Sequence, residues 1–389
     1  MRVHLDHNAT SNLLPEVQLL LRELDDERAA GHLGNPSSLH ASGRRARQLI
    51  DEARERTAAA LGLREDQVVF NSGGTESNAT AIFGTLVRER SWRGLAVSAV
   101  EHSAVLEPGR AARAAGRPLT VLPVDDVGRV DLDEVERVAR DPRTALVSVM
   151  AANNEIGTLQ PLGAISALLH ARGPHRPTFH TDAVQTPGKC AVTPAEWGAD
   201  LASFSAHKAG GPVGVGVLAV LNESRAPEAL LRGGEQEQGR RAGTENAVGI
   251  AAAALAFELS VEREIRERTH QRQRLETFWN RLRADLPQLR LNGPSIERVD
   301  RLPNTLNVHL PGTDGRVLVT RLDLEGIEVS AGSACASGAV EPSPVLRALG
   351  RTEEEARAGL RLSFSATISD QELLHAAETI TRTLRALHA

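Results

Sequence analysis

Lysine is scarce in this sequence, and its scarcity points to chemistry. Of the 45 Lys and Arg residues, only Lys189 and Lys208 are Lys. An arginine guanidinium stays protonated and forms no ordinary Schiff base with a carbonyl group, whereas a lysine amine can. Lys208 lies in Ser203–Gly216 (SFSAHKAGGPVGVG), between an apolar run and a Gly-rich stretch. We predict that Lys208 is a reactive amine rather than a solvated loop lysine, with Ser205 and His207 beside it as candidate phosphate donors.

A second segment, Asn71–Asn78 (NSGGTESN), has the features of a phosphate-binding turn. A strand is expected to end there, two glycines turn the chain, and Thr75 opens a helix. Backbone N–H groups at a helix N-terminus bind anions, and glycine lets a phosphate approach closely. An ordinary glycine turn followed by a helix cap is the alternative interpretation of the same residues.

Two further candidates follow apolar strands. Asp182 lies in Phe179–Gln185 (FHTDAVQ). In an enzyme that uses pyridoxal phosphate, such an Asp keeps the pyridine nitrogen protonated, so that the ring can accept electrons; a cap on the next turn is the alternative. His102, in Glu101–Leu106 (EHSAVL), is a candidate for stacking on a cofactor ring and for proton transfer near neutral pH, although a lone His is more often structural.

The sequence contains two cysteines, Cys190 and Cys335. Two are too few for a disulfide framework or a cysteine metal site, and we predict no metal. Cys335 lies in Ser330–Gly338 (SAGSACASG), a composition that predicts a flexible, exposed loop. An exposed thiol there is a candidate nucleophile, and a spare small residue is the alternative.

Length and composition predict a globular protein of two domains. The 389 residues exceed the roughly 250–300 at which one hydrophobic core stops growing. The net charge is −5 and no basic block stands out, so nucleic acid is not expected as a direct partner. Met1–Thr10 lacks the apolar core of a signal peptide, and no apolar stretch reaches the ~20 residues that span a membrane. We expect a cytoplasmic protein.

Short apolar runs alternate with helical stretches in the first two thirds of the chain, which predicts an α/β domain with a largely parallel sheet. The predicted strands are Gln67–Phe70, Leu95–Ser98, Leu119–Val124, Ala145–Met150, Thr178–Thr181, Leu201–Phe204 and Gly214–Val220. The predicted helices between them are Pro15–Arg28, Ser38–Leu61, Thr75–Arg90, Leu132–Ala139 and Leu162–Arg172. A long helix, Asn246–Leu286, then leads to a strand at Thr305–Leu310 and to helices near Gly315–Leu324 and Asp370–Leu387.

Taken together, the motifs resemble those of the cysteine desulfurases, in the class V aminotransferase superfamily of pyridoxal-phosphate (PLP) enzymes of fold type I. The resemblance runs nearly the whole length in register, and the further matching runs are Leu5–Thr10 (LDHNAT), Gly34–His40 (GNPSSLH), Val149–Pro161 (VMAANNEIGTLQP), Gly233–Asn246 (GGEQEQGRRAGTEN) and Gly359–Phe364 (GLRLSF).

The resemblance implies both a fold and a reaction. The fold is a large PLP domain, residues 13–255, with a mostly parallel seven-stranded sheet, and a smaller α+β domain, residues 1–12 and 256–389. The reaction converts L-cysteine to L-alanine, with the sulfur passing to an enzyme cysteine as a persulfide and then to acceptors for iron–sulfur cluster assembly or tRNA thiolation.

The resemblance also implies a role for each matching residue. The catalytic set is the Schiff-base lysine Lys208, the persulfide cysteine Cys335, His102 over the cofactor ring and Asp182 at the pyridine nitrogen. The binding set is Gly74, Thr75, Ser205 and His207 at the phosphate, Gln185 at the ring hydroxyl, Asn154 at the ring and substrate, Arg361 at the substrate carboxylate, and Thr244 at the phosphate of a neighbouring subunit, which implies a homodimer.

The sequence departs from the family pattern at four positions, none of which is expected to touch a chemical role. Gly210 and Val213 stand where an aromatic residue and a Lys are usual, and His7 and Asn8 differ from the usual start.

Two alternative functions stay open at this point. One is another class V enzyme, such as a selenocysteine lyase, an aminotransferase or a kynureninase-like hydrolase; Cys335 argues for sulfur chemistry, since transamination needs no thiol. The other is a PLP-binding scaffold without turnover, against which the set of Lys208, Asp182, Cys335 and Arg361 argues.

Overall fold

The computed structural model describes residues 1–89, 91, 93–332 and 342–386; Cys335 lies outside the described residues. The strands of the described part are, in chain order, β1 (Val3–His4), β2 (Val68–Asn71), β3 (Gly94–Ser98), β4 (Leu119–Leu122), β5 (Thr144–Ser148), β6 (Thr178–Asp182), β7 (Leu201–Ser205), β8 (Gly216–Val220), β9 (Arg290–Asn292), β10 (Thr305–His309), β11 (Ile327–Glu328) and β12 (Gly359–Ser363).

The α-helices of the same residues are α1 (Pro15–Ala29), α2 (Ala41–Leu61), α3 (Gly74–Ala79), α4 (Thr85–Arg88), α5 (Ser103–Ala114), α6 (Leu132–Arg140), α7 (Leu162–His170), α8 (Pro194–Trp197), α9 (Ala247–Asp285), α10 (Gly315–Leu324), α11 (Pro344–Ala348), α12 (Glu353–Arg357) and α13 (Asp370–Ala386). A π-helical stretch, Thr80–Gly84, joins α3 to α4. No helix in the described part of the chain combines the length and the apolar character needed to cross a membrane.

Seven strands form the central sheet, in the order β2-β8-β7-β6-β5-β3-β4. Neighbours from β7 through β4 pair in parallel, whereas β8 is antiparallel to both β7 and β2. Strand β2 therefore runs in the same direction as β7, so its carboxyl end lies at the same edge of the sheet as the carboxyl ends of β3, β5, β6 and β7. The predicted fold class is confirmed.

Helices cover the sheet on both faces, which explains why its strands are apolar runs rather than alternating patterns. On β3, Ala96 joins the main core with Phe179, Phe204 and Phe257. Its neighbour Leu95 points the other way, into a smaller core shared with α4 and α5.

A second hydrophobic core gathers the end of the chain. It includes Leu5 from the N-terminal segment, Phe278 and Trp279 from α9, and Phe364 beyond β12. Strands β12, β10 and β9 form an antiparallel sheet there, and β1 pairs with β11. Helix α9 reaches both cores, because it also supplies Phe257 to the first. The boundary predicted near residue 255 stays a prediction.

Most predicted elements lie within a few residues of the observed ones. The predictions omitted α5 and β12, however, together with the shorter elements β1, β9, β11, α8, α11 and α12. Helix α5 contains Pro108, and proline is a poor signal for a helix interior because it lacks an N–H donor. Strand β12 carries a fully buried Arg361 at its centre. A charged residue interrupts the apolar run by which a buried strand is predicted.

A buried ion pair supports the strand that carries Asp182. Nη1 and Nη2 of Arg176 donate to Asp200 at 2.5 and 2.6 Å, and the N–H of Phe179 in β6 donates to the same carboxylate at 2.8 Å. Burial acts to raise the pKa of Asp200, but these hydrogen bonds prevail and hold the pKa below its ordinary value.

We predict that Arg176→Met lowers the free energy of unfolding by about 3–5 kcal/mol at neutral pH, because it leaves Asp200 charged and buried without its cation. The loss should shrink as the pH is lowered from neutral towards about 3, because burial without Arg176 favours protonation of Asp200 in the variant, whereas the wild type loses the contribution of the pair only as the pH falls through the lowered pKa of Asp200. Urea unfolding of the wild type and the variant at neutral pH and at about pH 3 measures both effects. Arg143→Met, which removes an exposed pair with Asp141, is the control and should change little. An equal loss at both pH values would contradict the charge argument.

Candidate active site

One cavity of about 320 Å³ lies at the carboxyl ends of the parallel strands. Ligand sites of parallel α/β sheets characteristically lie at this edge. The predicted site residues that line it are Gly74, Thr75, His102, Asn154, Asp182, Gln185, Ser205, His207, Lys208 and Arg361. The turns after β2, β3, β5, β6 and β7 thus contribute to one site, and β12 adds Arg361 from the second core.

The amine of Lys208 is held at the N-terminal segment. Lys208 ends a short 3-10 turn directly after β7. Its Nζ donates to the backbone oxygens of Asn8 and Ala9 at 2.8 and 2.6 Å. Nδ2 of Asn8 in turn donates to the backbone oxygen of Asn154 at 3.0 Å. Asn8, one of the departures from the family pattern, thus lies at the site and contacts the amine through its backbone oxygen.

Asp182 is a buried carboxylate at the end of β6, with 5% of its surface exposed. It accepts from Nδ2 of Asn78 at 2.6 Å and from the N–H of Val184 at 3.0 Å. Both donors are neutral, so its negative charge remains available to a cationic group in the cavity.

A second carboxyl group lies close to Asp182 but behaves differently. Glu101 is buried, and burial followed by the charge of Asp182 raises its pKa well above the ordinary value. Its Oε1 accepts from the N–H of Met150 at 2.6 Å, and its Oε2 has no hydrogen-bond partner in the described chain. Burial and the charge of Asp182 therefore both favour the protonated, neutral form of Glu101 over a second negative charge at the site.

Gly74 and Thr75, the first two residues of α3, line the cavity. Gly73 has φ 149°, a value that favours glycine. A Cβ on Gly74 would lie 2.6 Å from Cγ2 of Val184, so the backbone is too close to its neighbour for a larger residue. The N–H of Gly73 donates to Oδ1 of Asn71 at 3.0 Å, which fixes the turn.

His207 and His102 each present an imidazole to the cavity. Burial, together with the charges of Lys208 and Lys189, lowers the pKa of His207 to about 4, so its ring is neutral near pH 7. His102 caps α5: its Nδ1 accepts from the N–H of Ala104 at 3.1 Å. An acceptor at Nδ1 places the ring proton on Nε2 in the neutral form.

Arg361 reaches the cavity from β12. Its Nη2 donates to Oδ1 of Asp6 at 2.6 Å and its Nη1 donates to the backbone oxygen of Asn154 at 3.4 Å. Its Nε is buried and has no hydrogen-bond partner in the part of the chain that the structure describes. Arg361 therefore offers a fixed guanidinium, suited to a carboxylate.

Two predicted site residues are not brought to this cavity. Thr244 is exposed and lies beside a separate depression with Asn71 and Glu237. Cys335 is outside the described residues. Sequence reasoning also missed Asn78, Asn8 and Lys189; the lysine count was a signal for Lys189, and nothing in the local pattern distinguished the two asparagines.

Comparison with known proteins defines the family in two steps. A model of the aminotransferase class-V family matches residues 3–374, so the chain belongs to the class V aminotransferases. "Cysteine desulfurase IscS" of Dictyoglomus turgidum is 39% identical over 389 residues, which cover 99% of this chain and 95% of that protein. "Cysteine desulfurase" of Cereibacter sphaeroides is 41% identical over 392 residues, covering 99% and 97%.

A solved structure agrees with the sequence relatives. A "NifS-like protein" superposes with a TM-score of 0.88 and 33% identity, covering 99% of this chain and 100% of its own. Within the class V aminotransferases, the chain is a PLP-dependent cysteine desulfurase, as the sequence predicted.

The residues present fit PLP. Asp182 is a buried carboxylate whose partners in the described chain are neutral, as a protonated pyridine nitrogen requires. The backbone N–H groups of Gly74 and Thr75, the Ser205 hydroxyl and the neutral His207 offer donors to a phosphate. Lys208 lines the same cavity and has the amine that a Schiff base with PLP needs.

We predict that Asp182→Asn lowers the rate of alanine formation from L-cysteine by about 10²–10³-fold, because a neutral amide cannot hold the pyridine nitrogen protonated. Steady-state alanine production by PLP-loaded protein measures the effect. Glu101→Gln is the matched control: burial and Asp182 already favour the neutral form of this acid, so exchange for a neutral amide should leave the rate within about a few-fold of wild type. Near-normal turnover in Asp182→Asn would contradict the role of Asp182 in holding the pyridine nitrogen protonated.

Proposed function

We propose that Lys208 binds PLP and moves the substrate proton, and that Cys335 receives the sulfur of L-cysteine. The observation that carries this proposal is the convergence of Lys208, Asp182 and Arg361 on one cavity. These three groups supply the amine, the charge that holds the ring proton and the carboxylate ligand that the reaction needs.

PLP, when bound, joins an amino group covalently and withdraws electrons from the adjacent carbon of the substrate. Lys208 Nζ, once exchanged for the substrate amine, takes the proton from Cα and returns a proton to the product. Arg361 orients the substrate by its carboxylate, and Asn154 lies beside both. His102, with its proton on Nε2, is placed to move protons over the ring.

The sulfur step requires a nucleophile in addition to this set. The Cys335 thiolate attacks the substrate sulfur, a sulfur–sulfur bond forms, and the carbon–sulfur bond breaks. The electron pair of that bond stays with the carbon, which takes up a proton and leaves as alanine. The persulfide sulfur is then transferred to an acceptor.

The residues that border the Cys335 segment support this assignment. Ser343 Oγ donates to Oε2 of Glu155 at 2.6 Å, and a Cβ on Gly332 would lie 3.3 Å from Cβ of Ser343 and 4.0 Å from the same carboxylate oxygen. Gly332 and Ser343, which flank the Cys335 segment in the sequence, therefore both lie beside Glu155. The next residue back, Asn154, lines the cavity. Cys335 is three positions beyond Gly332.

A homodimer completes the proposed site through Thr244. The exposed Thr244 lies on a segment that is tied down by buried acids: Glu245 accepts from Arg47 at 2.8 Å, and Glu237 accepts from Arg54 at 2.6 Å. Glu237 holds a left-handed backbone, φ 50°, which is strained for a residue other than glycine. Ion pairs with buried acids and a strained backbone at Glu237 therefore hold this segment in place. Because Thr244 is exposed on it, the segment is suited to contact a second subunit.

The acceptor of the sulfur we take to be a protein of iron–sulfur cluster assembly or a thiolation enzyme, as the family resemblance implies. We place the enzyme in the cytoplasm, because a free catalytic thiol requires a reducing compartment.

We predict that Cys335→Ala still binds PLP and changes its absorbance when L-cysteine is added, but forms almost no alanine, because the remaining groups activate Cα without accepting sulfur. Wild-type protein given L-cysteine without a reductant should gain one labile sulfur atom on Cys335, read by peptide mass spectrometry. Cys190→Ala is the control and should keep full activity, since burial raises the pKa of the Cys190 thiol to about 12. Full alanine formation by Cys335→Ala would refute the assignment.

We predict that Thr244 serves the phosphate of the partner site. Thr244→Ala should weaken PLP binding by about tenfold or more, the range of a hydrogen bond to a charged group. A mixed dimer of Lys208→Ala and Thr244→Ala subunits contains one intact Lys208, and wild-type PLP affinity at that site would show that the other subunit supplies Thr244. If that site instead binds PLP as weakly as the Thr244→Ala homodimer does, Thr244 contacts the phosphate of its own subunit, which would contradict the proposal.

A further inference from the structure

The two lysines of the chain are connected by a line of hydrogen bonds. Lys189 Nζ donates to Oε1 of Gln185. Nε2 of the same amide donates to the backbone oxygen of Asn8 at 3.0 Å, and that oxygen also accepts from Lys208 Nζ at 2.8 Å. The amide of Gln185 therefore has a defined orientation, with its oxygen toward Lys189 and its NH2 group toward Asn8.

Lys189 takes part in this line from outside the PLP cavity. It borders a second cavity, of about 340 Å³, which shares Lys208 with the first. Lys189 is 5% exposed, and burial, followed by the charge of Lys208, lowers its pKa well below the ordinary value. Both the protonated and the neutral amine carry an N–H that can donate to Gln185, so the contact does not depend on the charge of Lys189.

The orientation of an amide matters because its two ends have opposite hydrogen-bonding properties and nearly the same shape. Reversal of Gln185 would turn its oxygen toward the oxygen of Asn8 and its NH2 group toward the amine of Lys189. In the proposed site, Gln185 faces the ring oxygen of PLP, an acceptor that needs a donor.

We propose that Lys189 is a positioning residue, which holds the Gln185 amide with its NH2 group available to Asn8 and to the ring oxygen of PLP. This proposal rests on the proposed role of Gln185. It also accounts for the second lysine of a chain whose other basic side chains are Arg. A single compact amine fits a buried donor position, whereas a guanidinium would bring five N–H groups that all need acceptors.

A double-mutant cycle on PLP affinity tests the proposal. Apo-protein is titrated with PLP, and the dissociation constant and the absorption maximum of the bound cofactor are recorded for wild type, Lys189→Met, Gln185→Ala and the double variant. Lys189→Met should weaken binding about threefold to tenfold, the range of one hydrogen bond, and shift the absorption maximum in the same direction as Gln185→Ala. In the Gln185→Ala background, Lys189→Met should have no further effect on either quantity. An equal loss in both backgrounds, or no loss in wild type, would overturn the proposal.

Two further variants keep the test decisive. Cys190→Ala removes the adjacent side chain and should leave PLP affinity unchanged. Gln185→Glu keeps an acceptor for Lys189 and replaces the NH2 group by a second oxygen, so it imitates the reversed amide even if Lys189→Met does not fold. It should bind PLP more weakly than Gln185→Ala, and wild-type affinity in Gln185→Glu would overturn the proposal. Unchanged affinity in Gln185→Ala alone would instead remove the proposed role of Gln185.

Discussion

The buried charge of Asp182 is the constraint around which the site is built. A carboxylate at the end of a central strand is costly unless it is hydrogen-bonded and paired. The hydrogen-bond donors to Asp182 in the described part of the chain, Asn78 and the N–H of Val184, are neutral, so in the proposed site a cationic partner comes from the cofactor. A site of this kind favours a ligand that brings a positive charge, and PLP with a protonated ring nitrogen meets that demand.

The titratable groups near Asp182 add no second charge to its own. The pKa of Glu101 is raised by burial and by Asp182 itself, so the neutral form of this neighbouring acid is favoured. On β6, two residues before Asp182, burial lowers the pKa of His180 to about 3. Its Nδ1 meets Ser148 Oγ at 2.8 Å and its Nε2 meets Ser203 Oγ at 3.0 Å. This neutral ring ties three neighbouring strands together beneath the carboxylate without adding a competing charge.

Sequence reasoning predicted the sheet and most of the cavity for a physical reason. Parallel strands buried on both faces are apolar runs, and polar residues directly after such runs meet at one edge; this brought Gly74, His102, Asp182 and Lys208 together. What it missed depends on contacts between distant segments. Asn8 participates through its backbone oxygen, which any residue type would offer, and the partners of Asn78 are set by tertiary packing. Strand β12 was concealed by its buried Arg361.

Arg361 connects the second core to the cavity, because it lies on β12 of that core and its side chain lines the cavity. The backbone of Arg361 pairs with Asn307 of β10 and with Ser330, whose oxygen accepts from its N–H at 2.7 Å. One strand thus carries the guanidinium that enters the cavity and also holds the chain two residues before Gly332, where the Cys335 segment begins. Because both contacts belong to one strand, a shift of the second core against the sheet would move the Arg361 guanidinium and the start of the Cys335 segment together. Helix α9, which packs into both cores, resists such a shift.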